Sequence, residues 1–187
     1  MIILASKSPR RRELLKQIGC RFICESSDTD EVKTGAPEEL VMVNARMKAA
    51  NIAAKHKDTW IIGADTIVAL DNRIYGKPAD TEEAAAMLGK IAGRTHEVYT
   101  GIALVYNDEC WQDMAVTQVE MAAMTNNEIH KYVLTGEPLD KAGAYAIQGK
   151  CAVFIKGING SYSNVVGLPL QKLYELSAKA GLLLSEG

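Results

Sequence analysis

Short apolar runs alternate along the chain with longer amphipathic stretches. The apolar runs are rich in Ile, Val, Leu and aromatic residues, and they lie at residues 2–5, 21–24, 59–62, 67–70, 97–106, 111–124 and 153–155. Apolar runs bounded by turn residues are typical of strands. The two long runs at 97–106 and 111–124 are separated by a polar turn, which predicts a hairpin. Thr117, Val119 and Met121 in the second run predict alternate burial.

The amphipathic stretches begin at helix-starting signals. These signals are capping residues or prolines at Ser8-Pro9, Pro37, Asp80, Thr125 and Pro169. A Ser, Asp or Thr cap satisfies free amides of the first turn, and Pro is tolerated at the first helical position. Asp80 to Glu83 and Thr125 to Glu128 have the form of capping boxes. Strands that alternate with helices, apart from one antiparallel hairpin in the middle of the chain, predict an α/β fold.

The spacing of apolar residues predicts which faces of the first two helices are buried. Leu14, Leu15 and Ile18 recur on one side of the first helix, and Gly19 stands where a left-handed C-terminal residue is expected. In the helix that opens at Pro37, the predicted core face consists of Leu40, Val43, Met47 and Ala50. Arg46 and Lys48 lie off that predicted face.

The first helix begins with an unusual concentration of positive charge. Ser6 and Ser8 precede three consecutive arginines, Arg10, Arg11 and Arg12. A helix N-terminus is already the positive end of the dipole, so cations there are mildly unfavourable unless an anion binds. Free amides, hydroxyl groups and guanidinium groups together suit a phosphate. A simply capped helix with solvated arginines is the alternative.

Charged residues at three other places are also candidates for a functional site. Asp65 stands between the apolar runs at 59–62 and 67–70, where desolvation penalises a carboxylate unless a cation or donors meet it. Gly76 permits close approach of the backbone to a ligand, and Lys77 follows it. The acidic loop containing Glu31 is either a solvated surface or a metal site, since magnesium favours such carboxylates.

These polar residues form a coherent set. Together they suit a polyphosphate with a divalent metal. The phosphates would be met by Ser6, Ser8, Arg10, Arg11, Lys48 and Lys77, and the metal by Glu31 and Asp65. Cations neutralise the spread-out phosphate charge, and carboxylates hold the metal or take a proton from water. The residues therefore predict metal-assisted hydrolysis of a phosphoanhydride.

Composition narrows the class of protein further. The 187 residues are 48% hydrophobic and 24% charged, which predicts one globular domain over 1–187 with a sizeable core. A net charge of −2 argues against a general nucleic-acid binder. The four cysteines form no CxxC pair, which indicates reduced thiols in a cytoplasmic protein. We expect neither a signal peptide nor a membrane span, because the apolar runs are too short.

Several of these stretches together resemble the Maf family of nucleoside-triphosphate pyrophosphatases. The resemblance runs nearly end to end, and its motifs are Leu4-Ala5-Ser6-Lys7-Ser8-Pro9-Arg10-Arg11, Lys48, Gly63-Ala64-Asp65-Thr66, Gly76-Lys77-Pro78, Asp140-Lys141-Ala142-Gly143-Ala144-Tyr145, Gly160-Ser161-Tyr162 and Val166-Gly167-Leu168-Pro169. It implies a two-lobed mixed sheet flanked by helices with a central cleft, similar to inosine triphosphate pyrophosphatase. It also implies a homodimer and a magnesium or manganese cofactor.

The resemblance implies roles for individual residues. Residues 144–149 look like the family branch that hydrolyses dTTP and UTP to the monophosphate and pyrophosphate, a house-cleaning reaction. Asp65 would be the proton acceptor, and Arg10, Thr66 and Gln148 would select the base, because a Gln amide can both donate to and accept from a uracil or thymine edge. Phosphates would be bound by Ser6, Ser8, Arg11, Lys48 and Lys77, and the metal by Glu31 and Asp65.

Three other functions remain open at the level of sequence. The family has a second branch that acts on 7-methyl-GTP, and its members are also associated with cell division, which leaves a non-catalytic, nucleotide-responsive septum regulator as an alternative. The arginines at 10–12 could bind nucleic acid, although the acidic net charge argues against it. Measuring pyrophosphate release separates an enzyme from the regulator, and a salt-dependent shift with duplex DNA would indicate a nucleic-acid binder.

Overall fold

The structure, a computed structural model, describes residues 1–184, so the last three residues of the domain predicted at 1–187 lie outside the described part. The chain forms two compact units. The first unit contains residues 1–65, residues 100–115 and the segment from Gly167 onward. The second unit contains residues 66–99 and 116–166.

Strands and helices alternate as the hydrophobic pattern predicts. The strands of the described chain are β1 (Ile2–Leu4), β2 (Ile23–Cys24), β3 (Trp60–Leu70), β4 (Arg73–Tyr75), β5 (Thr95–Tyr106), β6 (Glu109–Met121) and β7 (Ile155–Asn159). The helices are α1 (Pro9–Gln17), α2 (Pro37–Ala53), α3 (Thr81–Ile91), α4 (Asn126–Val133), α5 (Tyr162–Val166) and α6 (Leu170–Ala180). Short 3₁₀ turns occupy Glu137–Asp140, Ala142–Ala144 and Lys150–Phe154.

The strands form a seven-stranded mixed sheet. Their order is β2-β1-β3-β5-β6-β7, and β4 pairs with β3 outside this series. Strand β1 runs parallel to β2 and to β3, whereas β4 is antiparallel to β3 and β7 is antiparallel to β6. The predicted α/β fold with a mixed sheet flanked by helices is therefore confirmed. The long hairpin is confirmed as β5 and β6, with Thr117, Val119 and Met121 buried in alternation.

The predicted helix caps are present. The Ser8 hydroxyl accepts a hydrogen bond from the Arg11 amide at 3.5 Å, with Pro9 at the first helical position. Gly19 has the expected left-handed backbone, with φ of 74°. Asp80 caps α3 by accepting from the Glu83 amide at 2.8 Å. Thr125 and Glu128 form a complete capping box at α4. Local sequence signals are thus sufficient to place these helix starts.

Each unit has its own packed core. In the first unit, small and branched residues from β1, α2, β3 and β5 form a cluster: Ile3, Ala5, Ala45, Ala49, Ile52, Ile61, Ala103 and Val105. In the second unit, α3 and α4 pack with strand residues in a larger cluster that includes Leu88, Ile91, Met121, Tyr132 and Tyr145. No helix within residues 1–184 has the length and apolar character needed to cross a membrane.

The predicted inner face of α2 is correct at Leu40 but wrong at the other three positions. Val43 and Met47 are only partly buried and Ala50 is exposed, whereas Val41, Ala45, Ala49 and Ile52 are fully buried. Small side chains, those of Ala45 and Ala49, lie where α2 approaches Gly63 of the sheet most closely. The consequence is a rotation of the helix that turns Lys48 and Asn44 inward, with Asn44 only 3% exposed.

Two strand predictions also need correction. Asp65 does not separate two strands, because β3 continues through it from Trp60 to Leu70; the carboxylate is paired, so its burial does not end the strand. The strand predicted at 153–155 starts only at Ile155, since Lys150–Phe154 is a 3₁₀ turn and Val153 is 80% exposed. Short apolar runs are ambiguous by periodicity alone.

Candidate active site

Asp65 is a buried carboxylate with two side-chain donors. It lies within β3 and is 6% exposed. One carboxylate oxygen, Oδ1, is 2.6 Å from the Lys48 ammonium, and the other, Oδ2, accepts from the Asn44 amide at 3.2 Å. An ionised carboxylate is costly to bury without a counter-charge and hydrogen bonds. Here both are supplied by one helix, α2, from positions one turn apart.

Two glycines allow α2 to approach the sheet. A Cβ atom on Gly63 would lie 2.2 Å from the Ala45 carbonyl oxygen, and one on Gly101 would lie 2.3 Å from the Val41 carbonyl oxygen. Neither distance is possible between real atoms, so both positions require glycine. Because Gly63 is two residues before Asp65, the close packing there also sets the distance from Asp65 to the α2 side chains.

Lys48 joins two acidic groups. Its ammonium lies 2.6 Å from Glu31 as well as 2.6 Å from Asp65, and its side chain is only 12% exposed. The Glu31 side chain is 48% exposed, so it is the more solvent-accessible of the two carboxylates that contact Lys48. The structure thus brings together three residues that the sequence analysis selected from separate parts of the chain, and two carboxylates converge on one cation.

The serines of the first loop are engaged by the protein. The Ser6 hydroxyl accepts from the Ser8 amide at 3.2 Å and from the Arg11 guanidinium at 3.3 Å. Ser8 caps α1, as described above. A hydroxyl that accepts hydrogen bonds can still donate its own proton. Both serines therefore keep a donor for an anion, but their positions are fixed by the helix start.

Arg11 is bound to three segments of the first unit. It donates to the Gly167 carbonyl at 2.7 Å, to the Ala64 carbonyl at 2.9 Å and to Ser6. Burial lowers the pKa of Arg11, and the negative charge of Asp65 opposes this shift. The guanidinium therefore contributes its positive field near Asp65 while it fixes the backbone next to that residue. Arg10 is partly exposed and Arg12 is exposed.

The remaining predicted residues belong to the second unit. Thr66 is partly buried in β3, and Lys77 and Gln148 are both exposed. The segments that carry Lys77 and Gln148 are linked, because the Gly143 amide donates to the Gly76 carbonyl at 3.1 Å. Gly143 has a φ of 68°, and a Cβ there would lie 2.9 Å from Val68.

The loop around Gln148 is held by two residues that sequence reasoning missed. The Glu137 carboxylate accepts from the Tyr132 hydroxyl at 2.8 Å and from the Lys150 amide at 3.1 Å. The same Tyr132 oxygen accepts from the Ala146 amide at 3.2 Å. Burial and the Glu137 contact raise the pKa of Tyr132, so its hydroxyl stays protonated as a donor. Gln148 is thus exposed on a loop anchored on both sides.

A buried His–Tyr pair lies behind this loop. The His96 ring and the Tyr145 hydroxyl are 2.7 Å apart, and His96 is 1% exposed. Burial lowers the pKa of His96 to about 4, so the ring is neutral near pH 7. Burial also raises the pKa of the neighbouring Cys151 thiol to about 12, which makes that thiol a poor nucleophile. These groups are part of the core and offer no covalent chemistry.

Comparison with known proteins settles the family. A profile described as Maf-like protein matches residues 1–180. The chain belongs to the Maf family. It is 50% identical over 186 residues to a dTTP/UTP pyrophosphatase of Pelotomaculum thermopropionicum, covering 96% of each chain. It is 49% identical over 187 residues to a dTTP/UTP pyrophosphatase of Myxococcus xanthus, covering 98% of this chain and 94% of the other.

A solved structure shows a weaker likeness. The Staphylococcus aureus Ham1 protein superposes with a TM-score of 0.46 and 20% identity, covering 65% of this chain and 71% of the other. Family membership rests on the profile and on the Maf relatives, whose matches extend over nearly the whole chain.

Proposed function

We propose that this chain hydrolyses dTTP and UTP to the nucleoside monophosphate and pyrophosphate. The observation that carries the proposal is the buried Asp65, held 2.6 Å from Lys48, which also contacts Glu31. A carboxylate in this setting can take a proton from water, and the adjacent positive charges can bind phosphates. The names of the relatives at 49–50% identity support the pyrimidine substrate.

The donor set fits a divalent metal. Glu31 and Asp65 already share one cation, the Lys48 ammonium, and magnesium is usually bound in such enzymes by one or two carboxylates together with substrate phosphates. No group of three or more His, Cys, Asp or Glu side chains within residues 1–184 forms a complete site by itself. We therefore propose that Glu31 and Asp65 hold magnesium or manganese, which would neutralise phosphate charge.

The chain's own residues then have the following roles in the proposal. Asp65 accepts the proton of the water that attacks the α-phosphorus. Lys48, Arg11, Ser6, Ser8 and Lys77 bind phosphate oxygens, and Arg10, Thr66 and Gln148 select the base. Since Arg11 also holds the Ala64 backbone beside Asp65, part of its contribution is to keep the site in shape.

We further propose that residues 1–187 act as one domain, in a cytoplasmic homodimer that does not bind nucleic acid. The net charge of −2 supports the last point, since nucleic-acid binding draws on clustered positive charge. Light scattering coupled to size exclusion measures the oligomeric state, and a mobility shift with duplex DNA at low salt tests nucleic-acid binding.

Pyrophosphate release from a panel of nucleotides tests the activity. The purified protein is assayed with dTTP, UTP, GTP and 7-methyl-GTP in magnesium, with and without added inorganic pyrophosphatase. We expect phosphate only when pyrophosphatase is present, and highest rates with dTTP and UTP. In ¹⁸O-labelled water, the label should enter the monophosphate. A preference for 7-methyl-GTP would place the protein in the family branch that acts on that nucleotide. If no nucleotide gave pyrophosphate, the non-catalytic regulator would be favoured.

Replacement of Asp65 tests its role as proton acceptor. Asp65→Asn should lower kcat by at least about a hundredfold, because general-base catalysis is worth 10²–10⁴-fold. Binding of the uncleavable α,β-methylene analogue of UTP, measured by calorimetry, should change by less than about fivefold (1 kcal/mol). Asp113→Asn is the control, because it removes a carboxylate 3.4 Å from Lys172 in the same unit and should keep full turnover. Full activity of Asp65→Asn would show that Asp65 is not the proton acceptor.

A further inference from the structure

One face of α2 carries three polar side chains that bind an acidic segment. Asn44, Lys48 and Asn51 are spaced at i, i+4 and i+7, so they lie in line along the helix. Their partners are in residues 28–32, which we call the acidic segment. Asn44 pairs with Val32, Lys48 with Glu31, and Asn51 accepts from the Asp28 amide at 3.4 Å. The acidic segment therefore runs antiparallel to α2.

Asn44 makes the most extensive of these contacts. Its side-chain oxygen accepts from the Val32 amide at 2.8 Å, and its side-chain nitrogen donates to the Val32 carbonyl at 2.9 Å. The same nitrogen donates to Asp65 Oδ2 at 3.2 Å. The orientation of the amide is determined, since the Val32 carbonyl and the Asp65 carboxylate are both acceptors and need the nitrogen on their side. At 3% exposure, Asn44 makes three hydrogen bonds with no access to bulk water.

The Asn44 side chain connects Asp65 to the segment that carries Glu31. Lys48 contacts Asp65 Oδ1 and Asn44 contacts Asp65 Oδ2, so two donors one turn apart fix the plane of the carboxylate. The other two hydrogen bonds of Asn44 hold Val32, the residue next to Glu31. A hydrophobic residue of similar size would fill the space but would leave the Val32 backbone groups and Asp65 Oδ2 without this partner.

We propose that Asn44 is a positioning residue that orients Asp65 and fixes the Glu31-bearing segment relative to it. The inference rests on the proposed pyrophosphatase activity. Asn44 is 3% exposed and its hydrogen bonds go to Val32 and Asp65, so its effect on turnover passes through Asp65 and Glu31. Misplacement of a reacting group by about 1 Å can lower a rate by about a hundredfold. Loss of Asn44 should therefore lower kcat far more than it raises KM.

Two substitutions separate the two tasks of Asn44. Asn44→Leu removes all three hydrogen bonds at similar volume. Asn44→Asp keeps an oxygen for the Val32 amide but loses the donor to Asp65 and places a second carboxylate beside it. Asn51→Leu is the matched control, because Asn51 lies about two helical turns from Asn44 and its contact is with Asp28, at the other end of the acidic segment.

The experiment measures kcat and KM for UTP together with amide hydrogen exchange at Val32, followed by NMR on the full chain. We expect kcat to fall at least tenfold in both Asn44 variants with KM within threefold, and to stay within twofold of wild type in Asn51→Leu. Val32 should exchange at least tenfold faster in Asn44→Leu and remain protected in Asn44→Asp, because only the latter keeps the acceptor. Thermal unfolding gives the folded fraction of each variant.

The outcomes distinguish this inference from the function on which it rests. Wild-type kcat in either folded Asn44 variant would overturn the positioning role, as would a loss of activity that merely tracks the folded fraction. Should Asn44→Leu not fold, Asn44→Asp alone decides the role at Asp65. A wild-type protein that releases no pyrophosphate would overturn the proposed function, and any part for Asn44 in turnover with it, while exchange at Val32 would still report the contact.

Discussion

Gly63→Ala should disturb the candidate site by moving the backbone of α2 away from that of β3, without replacing any side chain of the site. The added Cβ would lie 2.2 Å from the Ala45 carbonyl oxygen, 2.9 Å from the Ala49 Cβ and 3.0 Å from the Ala49 nitrogen. Ordinary van der Waals contact begins near 3.4 Å, so α2 and β3 would have to separate by about 1 Å. Neither partner is the end of a flexible side chain, so the strain cannot be relieved by a rotamer change.

The expected magnitude follows from this clash. Overpacking of a core costs about 1–3 kcal/mol, and relief of unfolded-state entropy by Gly→Ala returns about 0.4–1 kcal/mol. Because the clashing atoms are backbone or Cβ atoms, we take the upper end of this cost and expect a net loss of about 2 kcal/mol, which corresponds to a fall in Tm of about 4–8 °C for a chain of this length. Since Lys48 and Asn44 move with α2 while Asp65 stays on β3, kcat should fall by more than tenfold in protein that remains folded.

Calorimetry and steady-state kinetics on the same preparation test this reasoning. Gly157→Ala is the matched control: it is also a strand glycine, in β7, but a Cβ there meets no heavy atom within 4 Å. The control should keep wild-type Tm and kcat. If Gly63→Ala behaved like the control in both measurements, α2 would not be held against β3 as closely as described, and the geometric argument for Asp65, Lys48 and Asn44 would be refuted.

Two further predictions concern the second unit. Gln148→Glu replaces an amide that can donate and accept by a group that only accepts, so kcat/KM for UTP relative to GTP should fall at least tenfold; an unchanged ratio would contradict the assignment of Gln148 to base selection. Because burial lowers the pKa of His96 from 6.5 to about 4, the unfolded chain binds more protons between these pH values, and the stability of the folded chain should decrease by about 3 kcal/mol as pH falls from 6.5 to 4. Denaturant unfolding of wild type and His96→Gln at both pH values measures this, and an equal pH dependence in the two proteins would contradict it.

Local signals in the sequence predict helix starts well and helix faces less well. Ser8, Asp80 and Thr125 cap α1, α3 and α4 because each bond joins residues three apart in the chain. The inner face of α2 depends instead on how closely the helix approaches β3 and β5. Sequence reasoning favoured the larger Val43 and Met47, whereas close approach at Gly63 and Gly101 selects Ala45 and Ala49.

The same error explains why Asn44 was missed. With the helix rotated to bury Ala45 and Ala49, Asn44 and Lys48 turn toward Asp65. A usable signal was present, since Asn44, Lys48 and Asn51 form a polar line at helical spacing beside an acidic loop. Tyr132 and Glu137 gave no comparable signal, because their importance comes from backbone amides at Ala146 and Lys150.

The three consecutive arginines show why motif residues that are neighbours in sequence have unequal roles. Arg12 is exposed and Arg10 is partly exposed, whereas Arg11 binds the carbonyl of Gly167, 156 residues away, and that of Ala64, 53 residues away. Charge counting treats the three alike, yet Arg11 has bonds that connect α1 to the backbone beside Asp65. A guanidinium has several donors in fixed directions, so it can join separate segments where an ammonium group would not match the geometry. The role of Arg11 is therefore set by distant partners, which become visible only in the folded chain.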